Sequence, residues 1–479
     1  VYNKSLKEAC GICGVCSFNQ DSSKLIYQGL ITLQHRGQES CGISTFDKER
    51  ISLKKSMGLV TNFFTENVLS ELKGKMGLGH VRYSTAGTSC IDDAQPIMTN
   101  YPKRGIVLGF NGNIVNFTDL RKQLSLSGRL IQSKSDAEVI THIIAEEFIR
   151  TKDIETAIYN CMNRIEGAYS VGILTGEGEL IVFRDPYGFK PLVFGQNEEM
   201  KMFASESVAM DINGIENVSD INPGEVMIIR EENKERKQLF PCTRKAHCMF
   251  EYVYFSRPDS ILNGKCVYDA RIKLGQNLAK TFGGNGDIIV PVPDTARPVA
   301  EGIARETGLP VIEGLIKNRY VFRTFIMPEQ QSRDKAIKVK LNPVRSVLKD
   351  KHVILVDDSI VRGTTSRRTV DLIKNAGAKR VDMWISCPPI VSPCFYGIDM
   401  ATHVELVAAN NPVPKIAEMI HADELCYQTI EGLIDATGFK EDELCIACLN
   451  GRYPTPKAQQ LADGMKNQTT LKRYHEVES

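Results

Sequence analysis

Two neighbouring acids, Asp357 and Asp358, stand at the end of an apolar run in Val353 to Arg368 (VILVDDSIVRGTTSRR). An apolar run of this length reads as a strand covered on both faces, and it delivers the acids to its carboxyl edge. Ser359, Arg362, Gly363, Thr364 and Thr365 follow and open a helix. Backbone N–H groups at a helix start, small hydroxyl side chains and a glycine for close approach form a site for a phosphate dianion. The acids suit ribose hydroxyls or a hard cation such as Mg2+. Alone, such a pair would be a charged turn capping a helix. No GxxxxGK[ST] string is present, which argues against a Walker-type nucleotide loop.

A second element, IIVPVPDTARP, places Asp294 and Thr295 just after another apolar run. Between the two lies KNRYVFRTFI, where Lys317, Arg319 and Arg323 are available to an anionic leaving group. By itself that stretch is a solvated basic loop.

Near the start, Cys10-Gly11 offers a different chemistry. A thiol attacks an amide carbonyl once a base takes its proton. None of the eight His is marked as that base. The α-amino group of an N-terminal cysteine can serve instead, but nine residues precede Cys10 and must first be removed. Cys13 and Cys16 lie close by, and a small buried cysteine is usually just core. The groups downstream favour more. Arg82, in RYSTAG, can grip a carboxylate with both arms of its fork. Asn111-Gly112-Asn113 supplies an amide and a backbone N–H, the donors an oxyanion needs. Asp136 supplies a carboxylate for an ammonium. Together they suit a free amino acid carrying a side-chain amide. The cluster His35-Arg36-Gly37-Gln38-Glu39 accompanies them.

Cys445 and Cys448 form a CxxC, which leaves a tetrahedral or cluster site two thiolates short. Cys242, Cys248, Cys266, Cys387, Cys394 and Cys426 remain as partners, and spacing does not choose among them.

These groups need positioning elements. The chain has 479 residues, too many for one core, so two or three domains are expected. The first half, to about Phe240, reads as short strands separated by turns, such as Gly105 to Phe110 before Asn111-Gly112 and Glu179 to Phe183. Apolar positions Val139, Ile140, Ile143, Ile144 and Phe148 place a helix over Asp136 to Ile149. In the second half, Asp287 to Val292 and His352 to Ser386 read as strand and β–α–β unit, Gly377 ending the helix. Parallel sheets of this kind bind ligands beyond their carboxyl ends. Arg230 to Lys237 reads as an exposed turn near the boundary, and the polar tail after Tyr453 as peripheral.

Lys plus Arg (59) balances Asp plus Glu (58), which gives no basic footprint for nucleic acid. No apolar run is long enough for a transmembrane helix, and VYNKSLKEA has no secretory h-region. Fourteen cysteines without a dense regular spacing favour a reducing cytosol, with thiols for catalysis or metal. A cytoplasmic enzyme without membrane or nucleic-acid partners is therefore expected.

LQHRGQES, RYSTAG, NGN, EYVYFSRPDS, KNRY, VDDSIVRGTTSRR, PCFYGID and the closing CxxC occur in this order. From Cys10 to about Tyr453 the chain resembles the amidophosphoribosyltransferase family, in the branch with a propeptide and an iron–sulfur cluster. Related glutamine amidotransferases that make sugar phosphates or asparagine lack the VDDSIVRGTTSRR loop. The resemblance implies a mixed α/β and α+β fold, with an αββα N-terminal-nucleophile glutaminase followed by a type I phosphoribosyltransferase domain built on a parallel sheet. Its boundaries would be a propeptide at 1–9, glutaminase at 10–240, phosphoribosyltransferase at 241–455 and a tail at 456–479. Cys10 would attack glutamine, Arg82 and Asp136 would hold its α-carboxylate and α-amino groups, and Asn111 and Gly112 would form the oxyanion hole. Ammonia would pass through an internal channel to phosphoribosyl pyrophosphate. There Lys317, Arg319, Ser359, Arg362, Gly363, Thr364 and Thr365 would bind substrate, and Thr295, Asp357 and Asp358 magnesium. Cys248, Cys394, Cys445 and Cys448 would hold a [4Fe–4S] cluster. Homo-oligomers, dimeric or tetrameric, and feedback by purine nucleotides are likewise implied. Two departures stand out: Phe110 where His usually precedes NGN, and Phe322 where Gly is usual after KNRYV.

Overall fold

A computed structural model describes residues 10–83, 90–100, 105–318, 341–400 and 402–465. Arg319, Phe322, Arg323 and residues 1–9 lie outside the described residues, as do 84–87 of RYSTAG.

Two antiparallel sheets form the first half. One has seven strands, with Gly11–Ser17 and Met76–Arg82 side by side near its middle. The other has six, with Ile106–Ile114 paired along its length to Gly167–Thr175. Alternation along the strands decides what each face meets. Val107 joins Ile12, Leu78 and Phe203 between the sheets, whereas Leu108 and Phe110 face Ile140, Ile143 and Ile144 of the helix Asp136–Thr151. On the far side the helix Ser22–Thr32 buries Leu25, Ile26 and Leu30 against the seven-stranded sheet. The result is helix, sheet, sheet, helix, the expected αββα arrangement.

The second half holds a four-stranded parallel sheet ordered Ile288–Pro291, His352–Asp357, Arg380–Ile385 and Glu424–Tyr427. Val353 and Leu355 pack with Val370 and Ile373, while Ile354 and Val356 pack with Leu278 and Ile303. Both faces are covered, which is why Val353 to Val356 (VILV) carries no polar residue. The helix Thr364–Asn375 ends before Gly377, whose φ of 103° lies in the left-handed region.

Three local expectations change. Asn111-Gly112 is not a turn: the strand runs through it from Ile106 to Ile114. The neighbouring strand explains the glycine, since a Cβ on Gly112 would lie 1.9 Å from the Ala168 carbonyl oxygen. Lys234–Gln238, which takes in the second half of the charged run, is an edge strand paired with Glu225–Ile229. Charged side chains on such an edge discourage further pairing. The tail after Tyr453 is not all peripheral. The helix Pro456–Met465 buries Ala458, Ala462 and Met465 against a cluster containing Phe189, Phe395 and Tyr453.

Candidate active site

Cys10 immediately precedes the strand Gly11–Ser17, and its half-buried thiol donates to the Tyr83 carbonyl at 3.7 Å. Burial pushes the thiol pKa up, while the Tyr83 contact and the Arg82 and Arg36 charges pull it down. Among the described residues, the two histidines of this region are committed elsewhere. His35 Nε2 bonds Glu206 at 2.7 Å, and buried His80 Nε2 bonds the Phe110 carbonyl at 2.9 Å. Burial lowers the His80 pKa to about 3, so the ring is neutral.

Asn111 is fully buried, and neither atom of its side-chain amide has a hydrogen-bond partner among the described residues. A buried unpaired amide costs about 1–3 kcal/mol, so its position calls for a ligand. Gly112 follows on the same strand. Arg82 closes the strand Met76–Arg82, lies 3.8 Å from Asp93, and leaves Nη1 without a partner among the described residues. Asp136 opens its helix and accepts the Ile114 N–H at 2.8 Å. Burial raises its pKa to about 7, against the pull of that N–H and of Arg82. A bound ammonium would restore the carboxylate. The Phe110 ring lies on the helix-facing side of its sheet and leaves these groups in place.

Sequence reasoning grouped Arg36 with its neighbours but missed its partners. Arg36 is fully buried and its Nε donates to the Cys10 carbonyl at 3.1 Å. Its two terminal nitrogens reach Glu251 at 3.0 and 2.8 Å, and one also meets Glu206 at 2.5 Å. Burial works against the Glu251 carboxylate, but Arg36 overrides it and holds its pKa below the ordinary value. Glu251 also accepts from Ser256 at 2.6 Å, and Glu206 from Ser260 at 2.6 Å. The backbone of Cys10 is thus tied to EYVYFSRPDS. Arg271 continues the chain of contacts, donating to the Tyr252 and Ser256 carbonyls at 2.8 Å.

In the second half, Asp358 accepts from Thr295 Oγ1 at 2.6 Å and from Ser359 Oγ at 2.7 Å. Its own N–H meets Asp357 Oδ1 at 2.9 Å. Burial raises both carboxyl pKa values; the charge of Asp358 adds to the effect on Asp357, and the Thr295 bond opposes it on Asp358. Such a pair is relieved by a divalent cation, and two carboxylates plus substrate phosphates are the usual Mg2+ donors. Gly363, at φ 77°, caps the helix, with Thr364 and Thr365 exposed on its first turn. Arg362 bonds Glu405 at 2.7 Å. Lys317, ending the strand Leu315–Lys317, pairs with Asp294 at 2.5 Å.

The cysteines also sort. Cys248 stands opposite Cys445 in a short parallel pair, and the charges of Cys394, Cys445 and Cys248 are all felt at Cys448. Burial pushes all four thiols up, Cys248 to about 12. Cys387 lies near them, whereas Cys242 is exposed. No group of three or more His, Cys, Asp or Glu converges on a single metal ion among the described residues. A four-iron cluster spreads its thiolates over separate irons and needs no such convergence. The surroundings suit its negative charge. Lys190 is 1% exposed, its ammonium has no hydrogen-bond partner among the described residues, and its charge reaches Cys248, Cys394 and Cys445. The Tyr396 N–H points at Cys394 Sγ, 3.3 Å away.

Residues 80–211 match a glutamine amidotransferase domain and residues 258–389 a phosphoribosyl transferase domain. The amidophosphoribosyltransferase of Methanothermobacter thermautotrophicus is 45% identical over 96% of this chain and 97% of its own. That of Bacillus subtilis is 42% identical over 94% and 95%. The solved B. subtilis glutamine phosphoribosylpyrophosphate amidotransferase, complexed with ADP and GMP, superposes with a TM-score of 0.87 at 41% identity, covering 94% of this chain and 98% of that one. On fold, order of sites and near full-length identity, the chain belongs to the amidophosphoribosyltransferase family.

Proposed function

We propose that this chain makes 5-phosphoribosylamine from phosphoribosyl pyrophosphate with ammonia released from glutamine, the opening step of purine nucleotide synthesis. The observation that carries the reading is Arg36, one buried side chain bonded both to the Cys10 backbone and to Glu251 beyond the glutaminase sheets. An amide-cleaving thiol and a phosphate-binding acid pair share one continuous framework.

In the first site, the α-amine of Cys10, freed by removal of residues 1–9, takes the thiol proton. The sulfur attacks the glutamine side-chain carbonyl while Arg82 and Asp136 hold the two ends of the amino acid. Asn111 Nδ2 and the Gly112 N–H stabilise the oxyanion, the term that usually contributes most. Collapse expels ammonia and leaves a glutamyl thioester for water to cleave. Ammonia crosses a dry passage, which keeps it neutral and nucleophilic.

In the second site, Ser359, Gly363, Thr364 and Thr365 cradle the 5-phosphate, and Lys317 binds the pyrophosphate; Arg319, outside the described residues, is the second cation proposed for it. Asp357 and Asp358 would hold Mg2+, with Thr295 beside them; the cation would neutralise charge on the departing pyrophosphate. Ammonia attacks C1 of the ribose and pyrophosphate leaves with inversion. Cys248, Cys394, Cys445 and Cys448 would hold a [4Fe–4S] cluster with a structural part in folding. The enzyme acts in the cytoplasm as a homo-oligomer, dimer or tetramer, under feedback by purine nucleotides.

The test combines three measurements on purified protein. Mass spectrometry should find Cys10 at the amino terminus. Glutamine, Mg2+ and phosphoribosyl pyrophosphate should yield pyrophosphate. Iron and sulfide should each approach four per chain and fall in Cys448→Ser; unchanged iron in that variant rejects the ligand set.

A further inference from the structure

The oxyanion strand has a second wall that the glutaminase half does not supply. On one side Gly112 is closed by Ala168, as its 1.9 Å approach to a would-be Cβ requires. On the other side stands Gly397 of the PCFYGID segment. A Cβ on Gly397 would lie 3.2 Å from both the carbonyl carbon and oxygen of Gly112, and 3.6 Å from the Asn113 Cβ. Two residues earlier, the Phe395 carbonyl accepts the Asn113 Nδ2–H at 2.9 Å, across 282 positions of sequence. Phe395 is fully buried in a cluster with Phe189, Tyr396 and Tyr453, and Asn113 is buried too. The segment is therefore a fixed wall, not a solvent loop.

We infer that the 395–397 segment positions the oxyanion donors, with Gly397 holding Gly112 against Ala168 and Phe395 anchoring Asn113. The inference rests on the reading that Asn111 and Gly112 stabilise the oxyanion. Donors of this kind act through prior placement, and about half an ångström of slack is enough to weaken them. Glycine is needed at 397 for two reasons: the close approach to Gly112, and its φ of 97°, in the left-handed region. Gly397 is a positioning residue, because it acts through its contact with Gly112. Its place in the chain also matters. Cys394, three residues before it, belongs to the phosphoribosyltransferase half, so that half completes the site that releases ammonia.

The experiment compares glutamine hydrolysis in Gly397→Ala, Asn113→Ala and the unaltered mature enzyme, with phosphoribosyl pyrophosphate present. Both variants should lose kcat, about 10-fold or more for Gly397→Ala and less for Asn113→Ala, with the KM for glutamine within about two-fold. Ammonia-dependent product formation should persist in both, which separates a positional effect from general unfolding. Asn113→Ala leaves the 397 backbone untouched and so controls for strain. Unchanged kcat in both variants overturns the inference, as does a fall confined to Gly397→Ala or a matching fall in ammonia-dependent activity. Asn111→Ala tests the underlying reading separately. If it leaves kcat intact, Asn111 and Gly112 are not the oxyanion donors; if it lowers kcat and the other two do not, only the positioning role fails.

Discussion

The two sites are built in opposite ways. Around Cys10 the groups are buried and held in place: Arg36 clamps the backbone, the Asn111 amide has no partner among the described residues, and Gly112 is enclosed on both sides. Around Asp357 and Asp358 the acids are sunk at the end of a strand while Thr364 and Thr365 stand exposed on an open helix start. The difference follows from the chemistry each must do. Oxyanion stabilisation depends on donors fixed in a dry place. A phosphoribosyl site must admit a large, highly charged substrate with its cation, and completes its electrostatics only when both are bound. One site is enclosed, and the other leaves its helix start open to solvent.

Four substitutions press on that contrast. Cys10→Ser should cause the largest loss, lowering glutamine-dependent synthesis by about 10³-fold or more, yet leave ammonia-dependent synthesis at high pH. Loss of both would mean that the sites are not separate. Asp358→Asn should act on the other side, cutting glutamine- and ammonia-dependent synthesis alike by about 10²-fold. A loss limited to the glutamine reaction would contradict its placement. Glu251→Gln leaves the buried Arg36 charge short of a partner and should cost about 3 kcal/mol of stability, read from urea unfolding. An unchanged urea midpoint would show that the clamp is slack.

The fourth substitution, at Asp136, acts only within a pH window. Its carboxyl pKa is about 7 in the folded protein against an ordinary 3.8. Between these values the folded protein holds a proton that the unfolded chain has released. This contribution to stability is therefore full below about pH 4 and is lost as pH rises through about 7. Asp136→Asn should gain stability relative to the parent between pH 5 and pH 8 in ligand-free protein. A gap independent of pH would mean that the carboxyl is not held in its neutral form.

Much of this was legible in the sequence where local pattern and function coincide. HVILVDD declares a doubly covered strand ending in acids, and the helix at Asp136 follows from its apolar spacing. Asn111-Gly112 misled because an Asn-Gly pair signals a turn, while here the glycine answers to Ala168 on the neighbouring strand. The tail helix hid its contacts because its buried face is mostly alanine. Arg36 and Glu251 are 215 positions apart, and nothing local links them. The cysteines could not be sorted by spacing, since only folding sets Cys248 beside Cys445. Arg319, offered for the pyrophosphate, lies outside the described residues.

The central claim is that nitrogen freed at Cys10 reaches the Asp357–Asp358 site without entering solvent. Glutamine labelled with 15N in its side-chain amide can be supplied with phosphoribosyl pyrophosphate, Mg2+ and an excess of unlabelled ammonium, at a pH where ammonium is a poor donor. The product should carry the label nearly undiluted. Product labelled only in proportion to the bulk ammonia, or no product from glutamine at all, would contradict the account.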